Sequence, residues 1–180
     1  MTLRPITLDD ADVDELVALD SDPEVMRYLS GGKPTPRDQV VEIIRQSIDG
    51  RWMAFDRSVG EFVGWFGLVP TATAEYAVGY RLRVEAWGKG LATEGTRALI
   101  EMAFSELGAR RVWAETMAVN SRSRRVMERC GLRYVRTFHL EWEDPIEGSE
   151  LGEVEYELVR PEWELRTDPS FSRDTRGSRH

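Results

Sequence analysis

The amino-acid sequence predicts an α/β (α+β) fold: one domain with a mixed, mostly antiparallel central sheet and helices on both faces. Three observations predict it. The chain has 180 residues, 41% hydrophobic and 31% charged, which is ordinary for a globular domain and long enough for a proper core. Its middle, Trp52 to Val84, is a run of aromatic and β-branched segments broken by polar turns, as in an antiparallel meander. Beyond it the pattern alternates helix, strand, helix and strand. There is no internal repeat. Residues 1–165 are read as the domain. Residues 166–180, polar and arginine-rich with a Pro-Ser stretch, are read as a flexible C-terminal tail.

Leu3 to Ile6 reads as a short first strand. Thr7 to Asp20 carries Leu8, Ala11, Leu16 and Leu19 with acids near its front, and acids favour the positive end of a helix dipole. Asp22-Pro23 matches an N-cap followed by proline at the first helical position. Ser30 to Pro34 is a loop that places Tyr28 just before the second helix, which Thr35-Pro36-Arg37-Asp38 opens and which turns Val40, Val41, Ile44 and Ile48 to one face. Trp52–Phe55 and Phe62–Val69 form a hairpin around Ser58 and Gly60. Ala74 to Val84 is the third meander strand, with Tyr76, Val78, Tyr80 and Leu82 on one face. A long helix follows from Lys89 to Leu107, and Gly108 stops it. Val112 to Val119 is apolar on both faces and reads as a strand covered on both sides. Ser121 to Cys130 is a short helix ended by Gly131. Leu132–Glu141 and Val154–Val159 are the last strands, joined through the acidic segment Glu143–Gly152.

Composition removes several classes of function. No apolar run approaches the roughly 20 residues of a membrane-spanning helix, so no membrane partner is expected. The N-terminus lacks the apolar core of a signal peptide, and the single Cys130 excludes an internal disulfide. Both fit a cytoplasmic location. Two histidines and one cysteine make a zinc site of nitrogen and sulfur ligands a poor expectation, so no metal is assigned. The net charge of -8 argues against nucleic acid and suits a cationic substrate such as an amine.

Two motifs carry chemistry. Gly88 and Gly90 flank Lys89 where the third meander strand meets the long helix. Glycine lets the backbone approach a ligand, and the first amides of a helix lack intrahelical partners, so this is either a tight turn or an anion site for a phosphate or pyrophosphate. It is neither the G-x-G-x-x-G nor the G-x-x-x-x-G-K-[ST] pattern. Asn120-Ser121-Arg122-Ser123 closes a buried strand and opens the next helix. Asn120 reads as a cap, and Arg122, Arg124, Arg125 and Arg129 either solvate the helix or receive a second phosphate.

Together and in this order, Trp87-Gly88-Lys89-Gly90-Leu91-Ala92-Thr93-Glu94 and Asn120-x-x-Ser123 with Val126-Met127-Glu128-x-x-Gly131-Leu132 resemble the GCN5-related N-acetyltransferase (GNAT) superfamily. Leu3-Arg4-Pro5 and Asp22-Pro23-Glu24-Val25-Met26 make the likeness closest to the ribosomal-protein N-terminal (RimJ/RimL-like) branch, over residues 3 to 163. The resemblance implies a single-domain sheet splayed into a V. The strands around 74–84 and 112–119 part there to admit the pantetheine arm of acetyl-CoA. It implies pyrophosphate contacts from Gly88, Lys89, Gly90, Leu91, Ala92 and Thr93, with Trp87 where much of the superfamily has Arg or Gln. Leu82, Arg83 and Val84, where the strand enters the loop, join the cofactor set. So do Asn120, Arg122 and Ser123 from the second motif.

The implied reaction is direct attack of a neutral primary amine, on a protein N-terminus or a small molecule, on the thioester of acetyl-CoA. Ala77 stands where many members have a basic glutamate and Met127 where many have an acidic tyrosine. Those gaps leave a non-catalytic acyl-CoA-binding module as the alternative. The branch implies Ser123 and Glu141 as the catalytic pair, with His139 and Glu143 admitted by a shift of a residue or two. Glu75, on the meander strand, is a further base acting through water. For each acid a solvated surface role is the competing reading. The acidic stretch Glu141–Glu157 reads as a solvated hairpin or as the rim of a cationic acceptor's cleft. Trp142 and Trp163 are core or acceptor wall. A homodimer is implied by relatives alone.

Overall fold

The computed structural model describes residues 1–167. Strand β1 (Thr2–Pro5) leads into helices α1 (Asp10–Leu19), α2 (Pro23–Ser30) and α3 (Arg37–Ser47). The meander follows as β2 (Arg51–Phe55), β3 (Phe62–Ala72) and β4 (Glu75–Leu82). Then come α4 (Leu91–Ser105), β5 (Arg111–Met117), α5 (Ser121–Arg129), β6 (Arg133–Phe138), β7 (Glu153–Val159) and α6 (Arg160–Thr167). The strands form one seven-stranded sheet in the order β1-β2-β3-β4-β5-β7-β6. Every neighbouring pair is antiparallel except β4 and β5, which the α4 crossover makes parallel.

Local chemistry sets the helix ends. Asp9 caps α1 by accepting from the Asp12 amide, and Asp22 caps α2 ahead of Pro23. Gly31 ends α2 in the left-handed conformation. The first segment is pinned to the sheet by Asp12, which is 1% exposed. Its carboxylate accepts from the Arg4 guanidinium through both oxygens and from the Thr7 amide and hydroxyl. Burial alone would raise its pKa, but these donors hold it below the usual carboxylate range.

Helices cover both faces of the sheet. On one face α1 and α3 bury Val13, Leu16, Leu19, Val40 and Ile44 against Met53 and Phe62. On the other, α4 and α5 bury Leu99, Ile100, Ala103, Phe104 and Met127 against Phe66, Leu68, Val78, Val112 and Tyr156.

Four expectations need correction. Strand β5 is not apolar on both faces: Val112 and Ala114 are buried in the core with α4 and α5, while the opposite face carries Arg111, Trp113 and the exposed Glu115 and is fully buried only at Met117. Strand β6 ends at Phe138, because its partner β7 begins at Glu153 and Gly152, at φ +76°, turns the chain away. Glu141 therefore lies beyond the strand. Tyr28 sits within α2. Residues 160–167 are helical, so Arg166 and Thr167 belong to α6, and the rest of the expected tail lies outside the described residues. Helix α6 is held by Trp163, whose ring stacks on Phe104 at 5.2 Å, and by Arg160, which donates to the Ala109 and Phe104 carbonyls. Trp163 is thus a core residue.

The close approach of α4 to the sheet depends on Gly95. A Cβ there would meet the tip of the fully buried Phe66 ring at 2.4 Å. Gly95→Val should lower the unfolding free energy by about 1–3 kcal/mol through overpacking. The check is the urea midpoint. An unchanged midpoint would show that this contact does not set the position of α4.

Candidate active site

The site begins with a ladder that stops early. Strands β4 and β5 pair only from Glu75 with Arg111 to Ala77 with Trp113. Beyond that the facing edges at Val78–Leu82 and Ala114–Met117 have no ladder between them, and the sheet opens into a V. A cleft of ≈ 660 Å³ fills the opening. Both strand edges line it, with the glycine loop and the start of α4 at one side, α5 at another, and Glu24, Val25, Tyr28 and Leu29 of α2 across from them.

The glycine loop is built to receive an anion. Gly88 and Gly90 have φ of +75° and +81°, a region that disfavours side chains, and a Cβ on either would face open space. Gly90 caps α4 with no side-chain acceptor, so the amides of the first turn lack intrahelical partners. Trp87 braces the loop: its indole N–H donates to the Leu82 carbonyl at 2.9 Å, and the Arg122 guanidinium lies 4.9 Å above its ring. That contact joins the two motifs across the mouth of the cleft.

The start of α5 is arranged differently. The Asn120 side chain accepts from the Ser123 amide at 3.2 Å and donates to the Thr116 hydroxyl at 3.0 Å, so the cap also ties α5 to the parted edge of β5. Ser123 lies beside Tyr80, whose phenol is pushed up by burial and partly drawn back by that serine. The arginines divide by role. Arg122, Arg125 and Arg129 line the cleft, whereas Arg124 donates to Tyr156 Oη and to the Ala118 carbonyl. Cys130 is half-buried, and burial pushes its thiol up to about 11, so it is not a ready nucleophile.

Most residues expected from the motifs come together here. Leu82, Trp87, Gly88, Gly90, Leu91, Ala92, Thr93, Asn120, Arg122 and Ser123 line the cleft. Arg83, Val84 and Lys89 are not in its wall. Arg83 turns back to pair with Glu15 and covers the Phe62 ring. Glu75 lies at the closed end of the V, 3.0 Å from Arg111, and Glu141 is exposed beyond β6; neither lines the cleft. His139 packs beside Gly152, and Glu143 is exposed. The acidic segment after β6 also stays out of the cleft wall. Asp144 pairs with Lys33, Glu147 lies 3.8 Å from Arg27, and Ile146 packs on Gly31, so the segment braces α2.

Sequence reasoning missed Tyr80, Arg81, Thr116, Glu24 and Glu115, which all line the cleft. The only signal for Glu115 is an acid within an otherwise apolar strand.

A family model described as the acetyltransferase (GNAT) domain matches residues 1–133. The chain belongs to the GNAT acetyltransferases. Its curated relatives include the FsC-acetyl coenzyme A-N(2)-transacetylase of Aspergillus fumigatus, 38% identical over 172 residues, which span 86% of this chain and 72% of that protein. An uncharacterized Bacillus subtilis protein, YkkB, is 33% identical over 70% of this chain and 77% of its own length. The fold matches that of spermidine N-acetyltransferase from Vibrio cholerae, solved with CoA and spermine, at a TM-score of 0.75 and 18% identity, covering 90% and 96% of the two chains. It also matches aminoglycoside acetyltransferase AAC(6')-Ib in complex with coenzyme A, at 0.71 and 20%, covering 92% and 98%. This GNAT protein is an acetyl-CoA-dependent N-acetyltransferase, which sets aside the binding-only alternative.

Replacing Gly90 tests the loop. Gly90→Val adds about 1–2 kcal/mol of left-handed strain and sets a side chain before the amides of α4. Acetyl-CoA affinity should fall at least about tenfold, the loss of one charge-assisted hydrogen bond, while a cooperative melt persists. Calorimetric titration of the folded variant is the check; unchanged affinity would remove the loop from the cofactor site.

Proposed function

We propose that this acetyltransferase acts on a cationic primary amine carried by a small polar molecule. One observation carries the reading. The two sides of the cleft are oppositely disposed, with uncapped amides and Arg122, Arg125 and Arg129 toward the glycine loop, and Glu24 and Glu115 at the rim formed by α2 and β5. An anionic cofactor and a cationic acceptor are each attracted to their own side. The named relatives support it: one transfers acetyl to an N(2) position of FsC, and the structural neighbours acetylate spermidine or aminoglycosides by name. The likeness to the ribosomal-protein branch supports a protein N-terminus instead, so the acceptor class is the point to test.

The residues present fit acetyl-CoA. The amides from Gly88 to Thr93 hold the pyrophosphate, with the cleft arginines nearby. The unpaired backbone of Val78–Leu82 and Ala114–Thr116, with Asn120, holds the pantetheine arm. Bound acetyl-CoA supplies the activated acyl group. Backbone donors on the parted edges polarise its carbonyl, and holding both reactants in one opening supplies much of the rate. Ser123, in the cleft wall at the start of α5, would donate to the departing thiolate.

The test is thiol release from acetyl-CoA with spermidine, an aminoglycoside and N-terminal peptides as acceptors. The proposal expects kcat/KM for a small polyamine or aminoglycoside to exceed that for peptides by about tenfold or more, a 1.4 kcal/mol preference. The reverse order would return the assignment to protein N-termini. Ser123→Ala should lower kcat about tenfold or more without weakening acetyl-CoA binding, as removal of a positioned donor does. Unchanged turnover would remove Ser123 from the chemistry.

A further inference from the structure

The face of the sheet opposite α4 and α5 carries a concentration of charge. On β5 and β7 the register sets Arg111, Trp113, Glu115 and Met117 beside Val159, Glu157, Glu155 and Glu153. Most of these charges are spoken for. Arg111 bonds to Glu75, Glu155 and Glu157, and Arg136 on β6 bonds to Glu155. These arginines hold Glu155 below the usual carboxylate range against the opposing effect of its burial.

Two carboxylates remain outside that network. Glu115 lines the cleft just past the point where β4 and β5 part, and it has neither an ion pair nor a hydrogen bond among the described residues. Glu153 is 5% exposed, and its Oε1 is buried with no hydrogen-bond partner. It lies diagonal to Glu115 on the same sheet face, two pairs further along the β5–β7 ladder, opposite Met117. Glu115 is open to solvent at the cleft, yet desolvation by the protein packed around it and then Glu155 push it up, against Arg136; burial and then Glu115 push Glu153 up. Facing Glu115 across the cleft are Glu24 of α2 and Arg81 of β4, and Arg81 is already paired with Asp20.

A buried carboxylate that lacks a partner is costly unless protonation or a bound cation relieves it. Here the unpartnered acid stands behind an acid that opens on the reaction site. We propose that Glu115 is the catalytic base: it receives the acceptor's ammonium and takes its proton, and Glu153 is the positioning residue that keeps it a competent proton acceptor. The inference deepens the proposed function and rests on it. The ammonium gives one proton to Glu115, and the freed amine attacks the thioester carbonyl. The N–C bond forms and the C–S bond breaks. The second proton of that nitrogen goes to the departing thiolate, and Glu115 returns its own proton to solvent. No oxidant, metal or covalent enzyme intermediate enters the balance.

Glu115 must be ionised to act, so activity rises with pH through its pKa, which lies above the ordinary carboxylate range. Coupling between two carboxylates is mutual: Glu115 raises Glu153, so an ionised Glu153 raises Glu115 in turn, and its removal lowers that pKa. The experiment measures kcat/KM against pH with spermidine and with 1,5-diaminopentane for the intact protein, Glu115→Gln and Glu153→Gln. Carbon-13 NMR titration of labelled glutamate carboxyls runs in parallel, and acetyl-CoA calorimetry serves as the folding control. Glu115→Gln should lose the acidic limb and about a hundredfold or more in kcat. Glu153→Gln should move both the limb and the Glu115 resonance to lower pH. The proposal is overturned if Glu115→Gln keeps its limb and its turnover, or if the Glu115 carboxyl titrates in the ordinary range and ignores Glu153→Gln. The NMR arm needs no acceptor, so it decides on the carboxylate pair even where neither amine is turned over. A protein that binds no acetyl-CoA would instead defeat the functional reading itself.

Discussion

The short ladder between β4 and β5 is the constraint on which the rest depends. Parallel strands joined by a helical crossover ordinarily pair along their length. Here pairing ends at Ala77 and Trp113, and everything functional stands around the resulting gap. The crossover helix begins at the open side, so its uncapped amides face the gap. Asn120 fastens the next helix to the parted edge through Thr116. Neither motif would make a site without the separation, because the backbone groups of Val78–Leu82 and Ala114–Thr116 would then satisfy one another.

Charge is distributed by the same logic. The protein carries a net charge of -8, yet its cofactor side gathers arginines on α5 and its other side gathers carboxylates on β5 and β7. The arginines nearest those acids, Arg111 and Arg136, are engaged with Glu155, and Arg111 also holds Glu75 and Glu157. Arg81 is engaged with Asp20. What remains uncompensated lies at the cleft and directly behind it.

Much of this was legible in the sequence, for identifiable reasons. Helix starts followed from Asp22-Pro23 and Asn120, where side-chain chemistry is local. The meander followed from alternation, and the glycine loop from residues whose conformation only glycine adopts readily. Helix α6 was not legible, because its anchor is Trp163 on Phe104, a contact between distant segments. The end of β6 depends on where β7 begins, so Glu141 was set on a strand that does not reach it. Glu115 was hidden because an acid within an apolar strand says nothing about which face it occupies until the neighbouring strand's register is known.

The gap runs through the sheet rather than into one side of it. Helices α4 and α5 border it from one face, while α2 and Glu115 border it from the other. Two reactants can thus occupy it together from opposite directions, each without crossing the other's path. The only thiol, Cys130, is held protonated well above neutrality and is poorly suited to carry the acyl group between visits. Kinetically, such a doorway calls for a ternary complex: double-reciprocal plots that intersect, and two products that depart by separate exits.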